Sequence, residues 1–430
     1  MIAFRTIVYC FIPFFLFGSI QVLAQNEYYV KQGSSGAGTS FSDAFGDLKD
    51  ALDVAVAGDK VYVATGTYKP SRRYNFDTGV DLGLRVGSER DVAFRIPSGV
   101  KVYGGFTGTE VGVIDQTALD ARDLSANETV LSGDFNSDDN LTGGGNNLSI
   151  TGNGENAYHV VYTKNLSSAT LIDGCTITGG NANSSSYPNR AGGGWYNDGN
   201  GTNLNLKNCI FIGNSTQGRG GGMYNRALNG SNSSPSLQAC SFIRNSAVFG
   251  GGLENSTQSN GNSSPSLIDC SFVDNFASSR GGGVYNYGFG GRCIPEVINC
   301  YFIGNHSPFG GGMYNYGYYS NGEASPLLIN CIFWANSASS GGGIYTKSLN
   351  NAVSSPSLIN CSFSANSASS GGGIYNSATS GISNTAVNNC IFWGNTGNSW
   401  RNSNADLNVS HTLVEEASQS TITSSSYRGT

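Results

Sequence analysis

Five groups of side chains in this 430-residue sequence have the types and spacing to be weighed for chemistry. Asp134-Phe135-Asn136-Ser137-Asp138 sets oxygen ligands at alternate positions, like the start of a Ca²⁺ loop, although Asp139 stands where Gly is expected and no Glu closes the loop. Ca²⁺ on Asp134, Asn136 and Asp138 is therefore the metal expectation, set against a solvated turn. Glu254 lies one repeat from Arg219 and Arg280, each just before a glycine triplet, so a carboxylate and cations gather on one side of the chain. An eliminating lyase needs a base and a way to neutralise a uronate, often Ca²⁺ held by several carboxylates; one Glu does not make that cage, and no catalytic residue is assigned. Arg244 and Asp274 share a column one repeat apart and are expected to form a surface ion pair worth little. His159, His306 and His411 fall at unrelated positions and read as surface residues, with no legible Ser/His/Asp spacing.

Tyrosines form the fifth group. Tyr196, Tyr224, Tyr285, Tyr314, Tyr345 and Tyr375 each follow an apolar residue of the set Trp195, Met223, Val284, Met313, Ile344 and Ile374. If the latter point inward, the tyrosines face out. With Tyr287, Phe289, Tyr316, Tyr318 and Tyr319 nearby they could pack on sugar rings or on a partner surface, or stack on one another as a stabilising ladder.

The elements that position these groups follow from a repeat. Cysteines recur at 175, 209, 240, 270, 300, 331, 361 and 390, with gaps of 34, 31, 30, 30, 31, 30 and 29 residues. From Cys209 onward Phe stands two places after each cysteine and Asn five places after, as in Cys361, Phe363 and Asn366, and seven Gly-Gly-Gly triplets run from Gly192 to Gly373. Three glycines in a row cost a helix roughly 3 kcal/mol against alanine, and no 3.6-residue apolar stripe is present, so helical repeats are excluded. Segments such as Ile359-Asn360-Cys361-Ser362-Phe363 alternate instead, as short strands do. A lone strand cannot bury its apolar face, but if each unit makes one turn, equivalent residues stack ~4.8 Å apart around a shared core. The fold expected is all-β: a single-stranded, right-handed parallel β-helix with a short N-terminal capping helix. Leu206, Leu237, Leu267, Val297, Leu328, Leu358 and Val387 form an apolar column; the residue before each cysteine, usually Asn, marks a bend, and the column from Asn214 marks the next corner. Stacked cysteines point the same way, which favours a buried thiol column over disulfides, with Cys293 the odd residue in a loop. Polar spacers such as residues 256–264 read as surface loops.

Composition agrees with a packed, exported rod. Lys and Arg number 23 against 29 Asp and Glu, a net charge of −6 with no basic cluster, so no nucleic-acid surface is legible. Residues 1–24, with Arg5 ahead of the apolar run from Ile7 to Phe17, read as an export signal. No later stretch is long and apolar enough to span a membrane as a helix. Residues 25–60 read as a cap, with Ser42 opening a helix through Phe45, Leu48, Leu52 and Ala55 that Gly58 closes. Residues 61–190 read as irregular first coils, 191–396 as regular repeats, and 397–430 as a polar tail or incomplete last coil.

Units such as Phe363-Ser364-Ala365-Asn366 with Gly371-Gly372-Gly373-Ile374 resemble the repeats of chlamydial polymorphic outer-membrane proteins, and Gly58 to Pro70 with Gly99 to Phe106 is similar to the first coils of secreted β-helix proteins of the pectin-lyase-like fold. The resemblance implies that fold over most of residues 28–396. It hosts lyases, hydrolases, adhesins and scaffolds alike, and the membrane barrel that ends the chlamydial proteins has no counterpart here. The functional expectation is an exported extracellular or cell-surface scaffold that displays loops for adhesion, with a polysaccharide or cell-surface protein as partner; the alternative is a polysaccharide lyase or glycoside hydrolase.

Overall fold

A computed structural model describes residues 25–199 and 201–415; residues 1–24, on which the export expectation falls, and residues 416–430 lie outside the described residues. The chain winds as a right-handed parallel β-helix whose walls are three long parallel sheets of 12, 11 and 10 strands. Register is strict. Phe211, Phe242, Phe272, Phe302, Phe333, Phe363 and Phe392 pair in sequence across the 11-stranded sheet. Their rings stack with centroids 4.4–5.0 Å apart and planes within 8°. That separation is the strand spacing itself, so a flat ring on every rung fills the interior without offset. The leucine, cysteine and phenylalanine columns, with Met223, Leu253, Val284, Met313, Ile344 and Ile374, form one continuous buried core.

Two corners bend each coil. Asn208, Ala239, Asp269, Asn299, Asn330, Asn360 and Asn389 take φ of 51–56°, the left-handed conformation Asn and Asp tolerate best. Along the outside, Asn330 Nδ2 donates to Asn299 Oδ1 at 3.1 Å and Asn389 Nδ2 to Asn360 Oδ1 at 2.7 Å. At the second corner the left-handed residue is the one before each of the next asparagines, from Gly213 and Arg244 to Ala365 and Gly394. Those asparagines are buried and link rung to rung. Glycine triplets close the turn: Gly281 has φ +65°, and a Cβ on Gly282 or Gly283 would lie 2.5–2.6 Å from the carbonyl oxygen of Gly311 or Gly312 one coil on. Only glycine permits that approach.

The structure corrects several expectations. Helix α1 spans Leu48–Val54 with Asp47 as its N-cap, its carboxylate accepting from Lys49 N at 3.0 Å. Ser42 lies instead in a 3₁₀ turn, Phe41–Asp43, because Phe45 pairs as a strand residue beside Val30 and the helix cannot begin before it. Leu48, Ala51 and Leu52 cover the open end of the core. The nine described cysteines are free and buried. In the column from Cys209 to Cys390, each Sγ donates to the carbonyl two residues back at 3.2–3.5 Å. Cys293 does lie in the connection between the strands Val284–Phe289 and Glu296–Ile298, but that connection is packed: the residue occupies a buried column with Ser233, Ser263, Ala324 and Ser354, and its Sγ donates to Asn255 O at 3.5 Å where Ser263 and Ser354 make the equivalent bond. Residues 256–264 are loop only in part, from Ser259 onward. Leu253–Gln258 pairs along its whole length with Val284–Phe289, Asn262 bridges to Arg292, and the chain turns only around Ser259 and Asn260. Stacking thus continues through the spacer, because extended backbone beside a paired strand must also pair. Among the described residues no ion pair joins Arg244 to Asp274; the Asp274 side chain lies against Gly144 and Gly304, and its carbonyl accepts from Gly145 N at 2.9 Å. His159 is fully buried, its ring edge-on to Phe76 with centroids 4.4 Å apart and Nδ1 2.9 Å from Gly192 O.

Candidate functional site

The 10-stranded sheet carries the tyrosine face. Its register sets Tyr196, Tyr224, Glu254, Tyr285, Tyr314, Tyr345 and Tyr375 in one column on the outer side of the coil. Outer does not mean exposed. Tyr196 and Tyr224 are buried with Tyr74, Phe76 and Tyr162, contributed in part by an antiparallel hairpin, Arg72–Asn75 with Val80–Leu84, that folds back over the early coils. Tyr285, Tyr314, Tyr316 and Tyr345 bury one another, and Tyr314, Tyr345 and Tyr375 stack with centroids 4.8–4.9 Å apart. This part of the stripe is a ladder. Tyr287 and Tyr318 are half-buried, and Tyr319, at a turn with φ 63°, is exposed.

Where the column breaks, a cleft of about 390 Å³ opens. Tyr187, Tyr224, Tyr287 and Phe289 wall it with aromatic surface, and Arg219, Arg226, Ser256, Thr257 and Gln258 supply donors and acceptors. The arginines are held in place. Arg219 sits 5.3 Å over both the Phe249 and Tyr287 rings and pairs with Glu254; Arg226 donates to Tyr196 Oη at 2.8 Å and lies 5.6 Å over Tyr187. Glu254 is fully buried behind Arg219, with Oε1 on the guanidinium and Oε2 enclosed without a hydrogen-bond partner. Burial pushes its carboxyl up to about 7 despite the opposing pull of Arg219 and Arg280.

This inventory suits binding. Glycoside hydrolysis needs two carboxylates flanking the scissile bond, whereas no carboxylate lines the cleft and Glu254 is shut off from it. Cations, aromatic faces and an amide can hold a ligand by stacking and hydrogen bonding. Sequence reasoning found Tyr224, Tyr287, Phe289 and the Arg219/Glu254 grouping. It missed Arg226 and Gln258, which a comparison of columns beyond the Tyr-Asn pair would have shown, and Tyr187, which lies in an insertion between Gly180 and Gly192 with no repeat to align.

The acidic group lies elsewhere. Asp134, Asp138 and Asp139 bring carboxylate oxygens within 4.8 Å of one another, while exposed Asn136 donates its N–H to Glu155 Oε1 at 3.3 Å. Asp134 Oδ2 accepts from Asp139 N at 3.2 Å, and Asn156 Nδ2 donates to Asp139 Oδ2 at 2.8 Å. Asp139 Oδ1 is buried without a partner. Burial, opposed by the Asn156 bond and helped by the neighbouring carboxylates, pushes Asp139 up to about 6. An orphaned oxygen among crowded carboxylates fits a hard cation.

No protein-family model matches the chain, and no curated protein matches it in sequence. Among solved structures it is similar to pectate lyase Pel9A, with a TM-score of 0.43 and 12% identity over 89% of this chain and 78% of that one. It is also similar to a rhamnogalacturonan lyase, with a TM-score of 0.37 and 13% identity over 89% and 86% of the two chains. By its own strand register, the chain is a parallel β-helix.

Proposed function

We propose that the protein is an exported, non-catalytic β-helix scaffold, at the cell surface or released, that binds a glycan or a partner surface through the cleft around Arg219 and Tyr287. The observation that carries this reading is the lining: four aromatic side chains, two arginines and no carboxylate in about 390 Å³. A glycan array is the first test. Binding that falls at least tenfold in Tyr287→Ala and Arg226→Ala supports the cleft; binding indifferent to both removes it. Release of unsaturated or reducing sugars from a polysaccharide panel would replace this reading with the lyase or hydrolase one.

Export rests on the apolar run between Ile7 and Phe17 after Arg5, and N-terminal sequencing of protein recovered outside the cell, expected to begin near Gln25, tests it. Ca²⁺ belongs to the same proposal, with Asp134, Asp138 and Asp139 as ligands and Asn136 beside them.

A further inference from the structure

The outer face of the 11-stranded sheet differs in chemistry from the cleft. Residues flanking the inward Phe column point out, and on the rungs of Phe302, Phe333 and Phe392 they include large, exposed side chains: Tyr301 is 46% exposed, Ile332 37%, Trp334 50%, Ile391 44% and Trp393 55%, while Ser362 and Ser364 flank Phe363. On earlier rungs the segment around the hairpin Asn140–Thr142 and Ser149–Thr151 lies alongside the same sheet, with Leu141 against Gly213 and Gly144 and Gly145 against Asp274 and Gly304. Beyond Gly304 that cover ends.

Spacing singles out the tryptophans. Trp334 pairs with Ser364 and Ser364 with Trp393, so the two indoles share one column two rungs apart with a hydroxyl between them. At ~4.8 Å per rung they stand roughly 9.6 Å apart along the axis. The strands Tyr301–Ile303, Ile332–Trp334, Ser362–Ser364 and Ile391–Trp393 carry no charged side chain.

We infer that this face binds an extended, uncharged β-1,4-linked pyranose chain lying along the solenoid axis. In such a chain alternate rings present the same face, so the repeat that recurs is two sugars long, close to two rungs, and the intervening ring lies over Ser364. Aromatic side chains offer broad apolar area for the C–H face of a pyranose. These strands offer no cation to a polyanion, and Glu415, whose Oε2 accepts from Gly394 N at 2.6 Å beside Trp393, would repel one, so the face is complementary to a neutral polymer. A second copy of the chain fits less well. Aromatics bury about 150–250 Å² each when fully covered, so these half-exposed rings and their aliphatic neighbours fall short of the roughly 800 Å² per partner of a stable interface.

Co-sedimentation of the full chain with microcrystalline cellulose and with chitin tests this, with soluble polygalacturonate as the charged control. Retention on one or both uncharged polymers is expected, little changed by salt, and the two arms tell a glucose chain from an N-acetylglucosamine chain. Trp334→Ala or Trp393→Ala should lower the bound fraction at least tenfold, and Trp393→Phe should keep part of it. Tyr287→Ala should leave it intact, which separates this face from the cleft. No retention on either polymer overturns the inference, as does retention unchanged in the double Trp334→Ala, Trp393→Ala variant. Loss of a dimer in that variant, read by light scattering, would assign the face to a second copy instead.

Discussion

Asn305 and Glu254 are both polar, both fully buried, and both part of columns that run the length of the regular coils. Asn305 is saturated: its N and Nδ2 donate to Asn336 Oδ1 at 3.0 and 2.9 Å, Nδ2 also donates to Phe272 O at 2.8 Å, and its Oδ1 accepts from Asn275 N and Nδ2 at 3.0 and 2.9 Å. Each asparagine meets its own needs through an identical neighbour, and the column requires nothing from outside the repeat. Glu254 interrupts a tyrosine column, has one partner in Arg219, and leaves Oε2 unpaired. Uniform columns stabilise the rod; a break in one creates an environment that must be held from the side, and the cleft opens there.

The largest expected effect breaks the satisfied column. Asn305→Leu removes the acceptor for two Asn275 donors and the donor to Phe272 O, leaving groups that each cost about 1–3 kcal/mol when buried unpaired. A loss of roughly 4 kcal/mol or more in urea unfolding is expected. Asn360→Gly, at an exposed corner with φ 56°, keeps the conformation and should cost under about 1 kcal/mol. Equal losses would mean that the buried and exposed ladders do not differ.

Next is the broken column. Arg219→Met leaves Glu254 buried without its cation, and removing one partner of a buried pair costs about 3–5 kcal/mol. That loss should appear at pH 8 and shrink at pH 5, where the carboxyl is protonated. The pH dependence of the intact protein follows from the same group. Its carboxyl rises from an ordinary 4.5 to about 7 in the folded state, so between those values the folded chain holds a proton the unfolded chain has released. Stability from Glu254 is full below about 4.5 and is lost as pH rises through 7, on the order of 3 kcal/mol in all. His159 runs the other way: burial lowers it from 6.5 to about 4, so its contribution is present above 6.5 and lost as pH falls toward 4. Glu254→Gln should abolish the decline between pH 5 and 8 in urea midpoints and leave the acid limb; an unchanged alkaline slope would show that Glu254 is not its source.

The contrast also explains what could be read from the chain alone. Cys361, Phe363 and Asn366 recur at fixed spacing, so their columns, the bend at Asn360 and the free thiols follow from one geometrical argument. Whatever depends on segments outside the repeat does not. The burial of Tyr196 is due in part to Phe76 and Tyr74, 120 and 122 residues earlier, in a hairpin that stands outside the repeat. Tyr187 reaches the cleft from an insertion, and His159 is enclosed by Phe76 from the same early hairpin. The burial of Cys293 was hidden because its column mates are serine and alanine and the spacers that carry them are of unequal length. Trp334 and Trp393 were visible as residues, but their exposure depends on where the cover by a second hairpin, Asn140–Thr142 with Ser149–Thr151, ends.

The smallest expected effect lies outside both columns, at Asp139. Its Oδ1 is orphaned like Glu254 Oε2, but the residue is only half-buried and water screens its neighbours. Protonation near pH 6 relieves part of the crowding among Asp134, Asp138 and Asp139, so stability from this group also falls as pH rises through 6. A cation would do the same at higher pH. Millimolar Ca²⁺ should therefore raise the unfolding midpoint slightly at pH 8, less at pH 5 where protons compete, and not at all in Asp134→Asn, with matching heat in a calorimetric titration. If Ca²⁺ releases no heat and shifts no midpoint at pH 8, the crowded carboxylates form a solvated turn.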